Sequence, residues 1–248
     1  MGILAGWERE FSNVGWFIPP YIQMGVLSEL AVAINAQAGA FTQDDLERAL
    51  DRLYEPIGLA AMVLHRYPDA PIINQFKITI EEAVEAHFLG LHHVAVAGLA
   101  PVIEGAGRQL AALRGQTGAN SDSVQNVFVA LAESCKDEAI QRGLGHAGEI
   151  ESMMDSFSVF VRRCFFSRST AYPFSDRTNR HGILHGNYTD LEYGRPLNFY
   201  KTIAAVDFLT FVASFRANIS WFAPNTSRKS LNLAARYRML SALSLRRR

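Results

Sequence analysis

The stretch Asn179-Arg180-His181-Gly182-Ile183-Leu184-His185-Gly186-Asn187 gathers an arginine, two imidazoles and two glycines within nine residues. Arginine can grip a phosphate through two parallel N–H donors, and imidazole exchanges protons near neutral pH. Together these groups suit phosphodiester cleavage by general acid/base chemistry. On a regular helix His181 and His185 would stand about 40° apart, on one face, and Arg180 and His185 about 140° apart. Arg180 therefore reaches His185 only from a helix start, where its long side chain can swing across the end. Arg177 is a rival for the arginine role, at about 80° from His185. The duller alternative is an ion pair at a helix start beside a hydrogen-bonded core histidine.

A zinc site needs more than two histidines. Gly182 stands where an H-E-x-x-H metalloprotease would carry its glutamate. A third ligand would have to come from His87, His92, His93 or Glu104. Those three histidines are expected at helix surfaces and interfaces, so no metal and no cofactor is expected. Glu81, Glu82 and Glu85 are expected to form a solvated first-turn face rather than a pair of reacting carboxylates.

The segments that must position these residues are almost all helical. Apolar residues recur at three- and four-residue steps over 21–37. Thr42 is placed to cap a helix that Pro56 splits in two. Residues 79–116 read as two helices joined near Gly98 to Pro101. Ser121 is expected to start the next, ended by Gly143 and Gly145. Another runs from Glu149 to about Phe166. Ser175 or Asp176 is expected to cap the helix that opens the motif. The stretch from Pro196 to Phe215 is a long apolar helix with proline in its first turn. Strand signals are nearly absent, so the fold class is all-α.

In 248 residues, 49% are hydrophobic and 19% charged, the balance of an ordered globular chain. The longest weakly charged apolar run contains Asp207 and falls short of the roughly 20 residues of a membrane span. No membrane partner is expected, and the location is expected to be cytoplasmic. The net charge of zero hides a split: all 24 acidic residues lie at or before Asp207, and eight basic residues follow it. Arg228, Lys229, Arg236 and Arg238, with Arg177, are candidates for contacting nucleic acid. The same basic segment could equally lie against the acidic body of its own chain.

The motif, followed by DLEYGRPLNFYKTIAAVDFL, resembles the HEPN superfamily (higher eukaryotes and prokaryotes nucleotide-binding domains). Its motif is an arginine, four to six intervening residues and a histidine, often with a polar residue just after the arginine. Arg180, His181 and His185 fit that pattern. Upstream, EEAVEAHFLGLHHVAVAGLAPVIEGAGRQL is similar to a helix of bacterial HEPN-type proteins, with Glu104 at its acidic position. VGWFIPPY is similar to an opening found in members of that group. His92 and His93 stand where an aromatic is more usual. The likeness covers about residues 76–215, which implies an N-terminal helical region over 1–75, a helical bundle over 76–215 and a basic segment over 216–248.

The resemblance implies a metal-independent endoribonuclease. His185 would act as general acid/base, Arg180 would stabilise the phosphorane, His181 would assist, and Glu104 would hold Arg180 or His185. It implies RNA as substrate, a homodimer in which two motifs face each other, and a defence or toxin role with an antitoxin or defence-system partner. Many HEPN domains keep the helices without the activity. A non-catalytic module binding nucleic acid or a partner protein is therefore the alternative.

Overall fold

A computed structural model describes residues 4, 6–37, 39–116 and 123–245. They form eleven α-helices, three short 3₁₀ or π turns and, among the described residues, no strand. The all-α expectation holds.

The central helix is α10, Pro196–Ser214. Every residue from Leu197 to Ser214 is buried, which explains why its sequence is apolar all round rather than along one stripe. Pro196 opens it, and the Asn198 side chain accepts from the Gly194 and Arg195 N–H groups. Two charged residues break the apolar pattern, and each has a partner. Lys201 Nζ lies 3.0 Å from Asp176 and 2.8 Å from the Gln43 carbonyl oxygen. Asp207 accepts from the Tyr67 hydroxyl at 2.7 Å. Burial pushes the Asp207 carboxyl up to about 7, against the Tyr67 hydrogen bond and the Arg66 charge.

Around α10 pack α3 (Gln43–Leu53) and α6 (His92–Leu113), and α5 (Lys77–Phe88) lies against α6. Thr42 caps α3 in a reciprocal box with Asp45, and Pro56 starts α4 (Pro56–His65), as the sequence suggests. The α5–α6 joint falls elsewhere than expected. It is at Leu89–Leu91, where Gly90 takes φ +75°, and Pro101 lies inside α6. Pro101 is exposed, where a lost backbone hydrogen bond and a slight bend cost least. Glu81 and Glu82 are exposed but stand one turn past the start of α5.

On the far side, α7 (Val124–Arg142) is capped by Ser123 and ends at Gly143 in the left-handed conformation. The expected start at Ser121 lies outside the described residues. Next, α8 (Ala147–Phe160) runs into a π turn over Val161–Phe165. α1 (Trp7–Asn13) packs on α8 and on α2 (Met24–Ala36).

The basic C-terminal segment forms a helix that the periodicity did not mark, α11 (Arg228–Leu245), laid on α4 and α5. Ser230, Ala234 and Tyr237 are buried in that contact, and Tyr237 stacks on Phe88. Arg236 pairs with Glu85 at 2.9 Å, while Arg228, Lys229 and Arg238 are exposed. One hydrophobic cluster runs from Leu4 to Tyr237, so residues 1–75, 76–215 and 216–248 contribute to a common core. No helix among the described residues is long and apolar enough to cross a membrane.

Candidate functional site

The motif helix, α9, is only five residues long, Arg180–Leu184. Its start is fixed by Asn179, fully buried, whose side-chain oxygen accepts from the Gly182 N–H at 2.8 Å. The Asn179 amide donates to the carbonyls of Cys164 (2.8 Å) and Ser167 (2.9 Å), tying α9 to the turn after α8. The cap is therefore Asn179 and not Ser175 or Asp176. Asp176 cannot serve, because it is buried against Lys201, Thr178 and the Tyr172 hydroxyl. Asn198 at the start of α10 donates to the Asp176 carbonyl at 2.6 Å, so the core helix braces the loop that delivers Arg180.

After Leu184 the chain turns at once. His185 is the C-cap, Gly186 takes φ +66°, and Tyr188 folds back over Gly182. A Cβ at Gly182 would drive into the Tyr188 ring, so this position needs glycine for the close approach. The Tyr188 hydroxyl donates to the Ser169 carbonyl at 2.8 Å and closes the turn.

The short helix removes the expected 140° separation. Arg180, at the first helical position, sends Nη1 to within 3.1 Å of His185 Nε2 in the same chain. Its Nη2 forms an ion pair with Glu104 of α6 at 2.9 Å. The His181 and His185 rings stack at 5.6 Å between centroids, 15° from parallel. His181 Nδ1 lies 3.5 Å from Arg180 Nη1. Because a guanidinium only donates, Nε2 of His185 is the acceptor here and its ring proton sits on Nδ1. Burial, then the Arg180 charge and His185, hold the His181 imidazole below the usual histidine range. Its neutral form therefore dominates at pH 7.

Thus Arg180, His181, His185 and Glu104 meet in one partly exposed cluster, fed by α9 and α6. Arg108, one turn along α6, adds a second guanidinium to Glu104 at 3.4 Å. Its i,i+4 spacing from Glu104 was the available sequence signal. The Arg180 Nε is buried without a partner. Arg177 stands apart, with φ +56° and its guanidinium over the Tyr188 ring. Arg228, Lys229, Arg236 and Arg238 lie on α11.

Of the expected surface and interface positions, His87 and His92 take the interface kind, where α5, α6 and α10 meet. Both are buried, their Nδ1 atoms 3.2 Å apart, with His87 stacked on Phe199 at 3.9 Å. Burial keeps His87 well below the usual histidine range. His93 contacts the Asp190 carbonyl and the Tyr193 ring and holds down the loop after the motif. Among the described residues, no group of three His, Cys, Asp or Glu side chains stands close enough to share a metal ion.

A scan against protein-family models and searches of curated proteins and of solved structures return no match.

Proposed function

We propose that this protein is a metal-independent endoribonuclease of HEPN type, with Arg180, His181, His185 and Glu104 as its site. The supporting observation is the Arg180 side chain, held by Glu104 while it presents Nη1 to an exposed His185. An RNA phosphate that takes over Nη1 releases Nε2 of His185 beside the scissile ribose. His185 then accepts the 2′-hydroxyl proton as the 2′-oxygen attacks phosphorus. The P–O5′ bond breaks, leaving a 2′,3′-cyclic phosphate, and Arg180 neutralises the charge that builds on the phosphorane. His181, neutral at pH 7, orients His185 and does not supply the proton for the 5′-oxygen. In this reading a second copy supplies that proton, and Leu184 and Leu191, both exposed and before and after His185 in the chain, suit a dimer contact. A role in bacterial defence or as a toxin, restrained by an antitoxin or defence-system partner, belongs to the same proposal.

The Arg180–Glu104 pair also suits the alternative, a non-catalytic module binding nucleic acid or protein, since it turns the guanidinium toward its own chain. Incubation of the purified protein with RNA in EDTA separates the two. Cleavage to 2′,3′-cyclic phosphate ends that is lost in His185→Ala supports the enzyme. No cleavage, or equal cleavage by the variant, supports the module.

A further inference from the structure

α11 has two faces of different character. Ser230, Ala234 and Tyr237 bind it to the body. On the opposite side Leu231, Ala235, Met239 and Ala242 follow at four- and three-residue steps, all exposed, with Leu243 beside them. Leu231 is 48% exposed, Met239 67% and Leu243 52%, an apolar strip interrupted by exposed Asn232 on a helix packed against α4 and α5. Arg238 edges the strip on one side, Lys229 and Arg236 on the other, and Arg228 stands at its start. Phe222, 80% exposed, precedes the helix in a loop whose carbonyl accepts from Arg66 at the end of α4. Glu81 and Glu85 flank Tyr237 on the body side, where Glu85 pairs with Arg236, and exposed Asp51 and Glu55 line a shallow pocket together with Arg238 and Ser241. No acidic residue follows Asp207 in the sequence.

We propose that this outward face of α11 docks on an anionic lipid surface. A second α11 would cover the apolar strip but set arginines against arginines. RNA would satisfy the cations and leave Leu231, Met239 and Leu243 in water. An anionic membrane does both: the strip enters the headgroup boundary while the edge cations stay among lipid phosphates. A fluid surface also conforms to an exposed helix face where a folded partner needs a matching shape. The expectation of no membrane rested on the lack of a span, and lying on a surface requires none. This inference stands independently of the ribonuclease reading.

Sedimentation of the full chain with vesicles tests it, using phosphatidylcholine alone and phosphatidylcholine mixed with phosphatidylglycerol. Binding to the mixed vesicles only is expected, weakening as salt rises. Lys229→Gln with Arg238→Gln should weaken it roughly 25-fold, at about 1 kcal/mol or fivefold per cation. Met239→Gln with Leu243→Gln should weaken it about tenfold or more. All four side chains are exposed, so far-UV circular dichroism and the melting temperature should be unchanged in both variants. No binding to the mixed vesicles overturns the proposal, as does binding indifferent to Met239→Gln with Leu243→Gln. A third contrary outcome is a larger loss of binding to a single-stranded RNA oligonucleotide than to vesicles in these variants, which would mark α11 as a nucleic-acid surface.

Discussion

Two glutamates in this protein each gather arginines, and the arginines are used differently. Glu138 on α7 accepts from Arg114, Arg142 and Arg216. Those arginines also donate to backbone carbonyls at helix ends: Arg114 to Val212, Arg142 to Phe215, and Arg216 to Leu113. The C-termini of α6, α7 and α10 thus converge on three cations, which complement the negative ends of their dipoles. Glu104 on α6 holds Arg108 and Arg180, but Arg180 turns its remaining terminal nitrogen to two stacked imidazoles instead of to backbone. Donors committed to carbonyls staple helices. Donors committed to titratable, exposed side chains remain exchangeable, and a phosphate can displace them.

The largest effect that sharpens this contrast is on rate. His185→Ala should lower RNA cleavage by about 10²–10⁴-fold, the span of a lost general base. Because His185 is exposed, its stability change should stay within about 0.5 kcal/mol in urea unfolding. Next comes Glu138→Gln, which leaves three guanidinium groups without their carboxylate. The two half-exposed arginines are partly screened, so a loss of about 2–3 kcal/mol is expected. Calorimetry should show this as a melting temperature lower by roughly 5–10 °C. A loss as large in Glu104→Gln would break the distinction, since that partly exposed pair should contribute only about 1 kcal/mol.

Asn179→Ala tests the link between scaffold and site. It removes the cap of α9 and unpairs two buried carbonyls, so about 2 kcal/mol of stability should go, and cleavage with it. Smallest is a pH effect. Burial raises the Glu138 carboxyl, but hydrogen bonds from Arg142 and Arg216 and the Arg114 charge outweigh it and hold it below the usual glutamate range. A carboxyl depressed in the folded state stabilises fully above its unfolded value, near 4.5, and the gain is lost as pH falls through the folded value. Unfolding free energy measured from pH 6 down to pH 3 should therefore fall less steeply in Glu138→Gln than in the unsubstituted protein.

Much of this was legible locally. Thr42 acts through its own side chain and Pro56, Gly143 and Pro196 through their own backbone, so the starts of α3, α4 and α10 and the end of α7 could be read from single residues. Arg180, His181 and His185 could be singled out by type and spacing, Glu104 only through the family resemblance, and the structure brings the four into one cluster. What stayed hidden depends on distant partners. Asp176 looks like a cap until Lys201 claims it, and Asn179 becomes the cap because buried carbonyls at Cys164 and Ser167 anchor its amide. Arg180 reaches His185 from the helix start, the one route its spacing left open, but that α9 ends after five residues, with Tyr188 folded onto Gly182, was not legible. His87 and His92 are polar by type and buried by the meeting of α5, α6 and α10, which periodicity within one helix does not report.

The most direct measurement is the rate of RNA cleavage in EDTA by Glu104→Gln and Glu138→Gln, each normalised to its folded fraction. If Glu104 holds a reacting arginine and Glu138 only a structural one, Glu104→Gln loses most of its cleavage and Glu138→Gln keeps it. Equal losses in the two variants, or no cleavage by the unsubstituted protein, would contradict it.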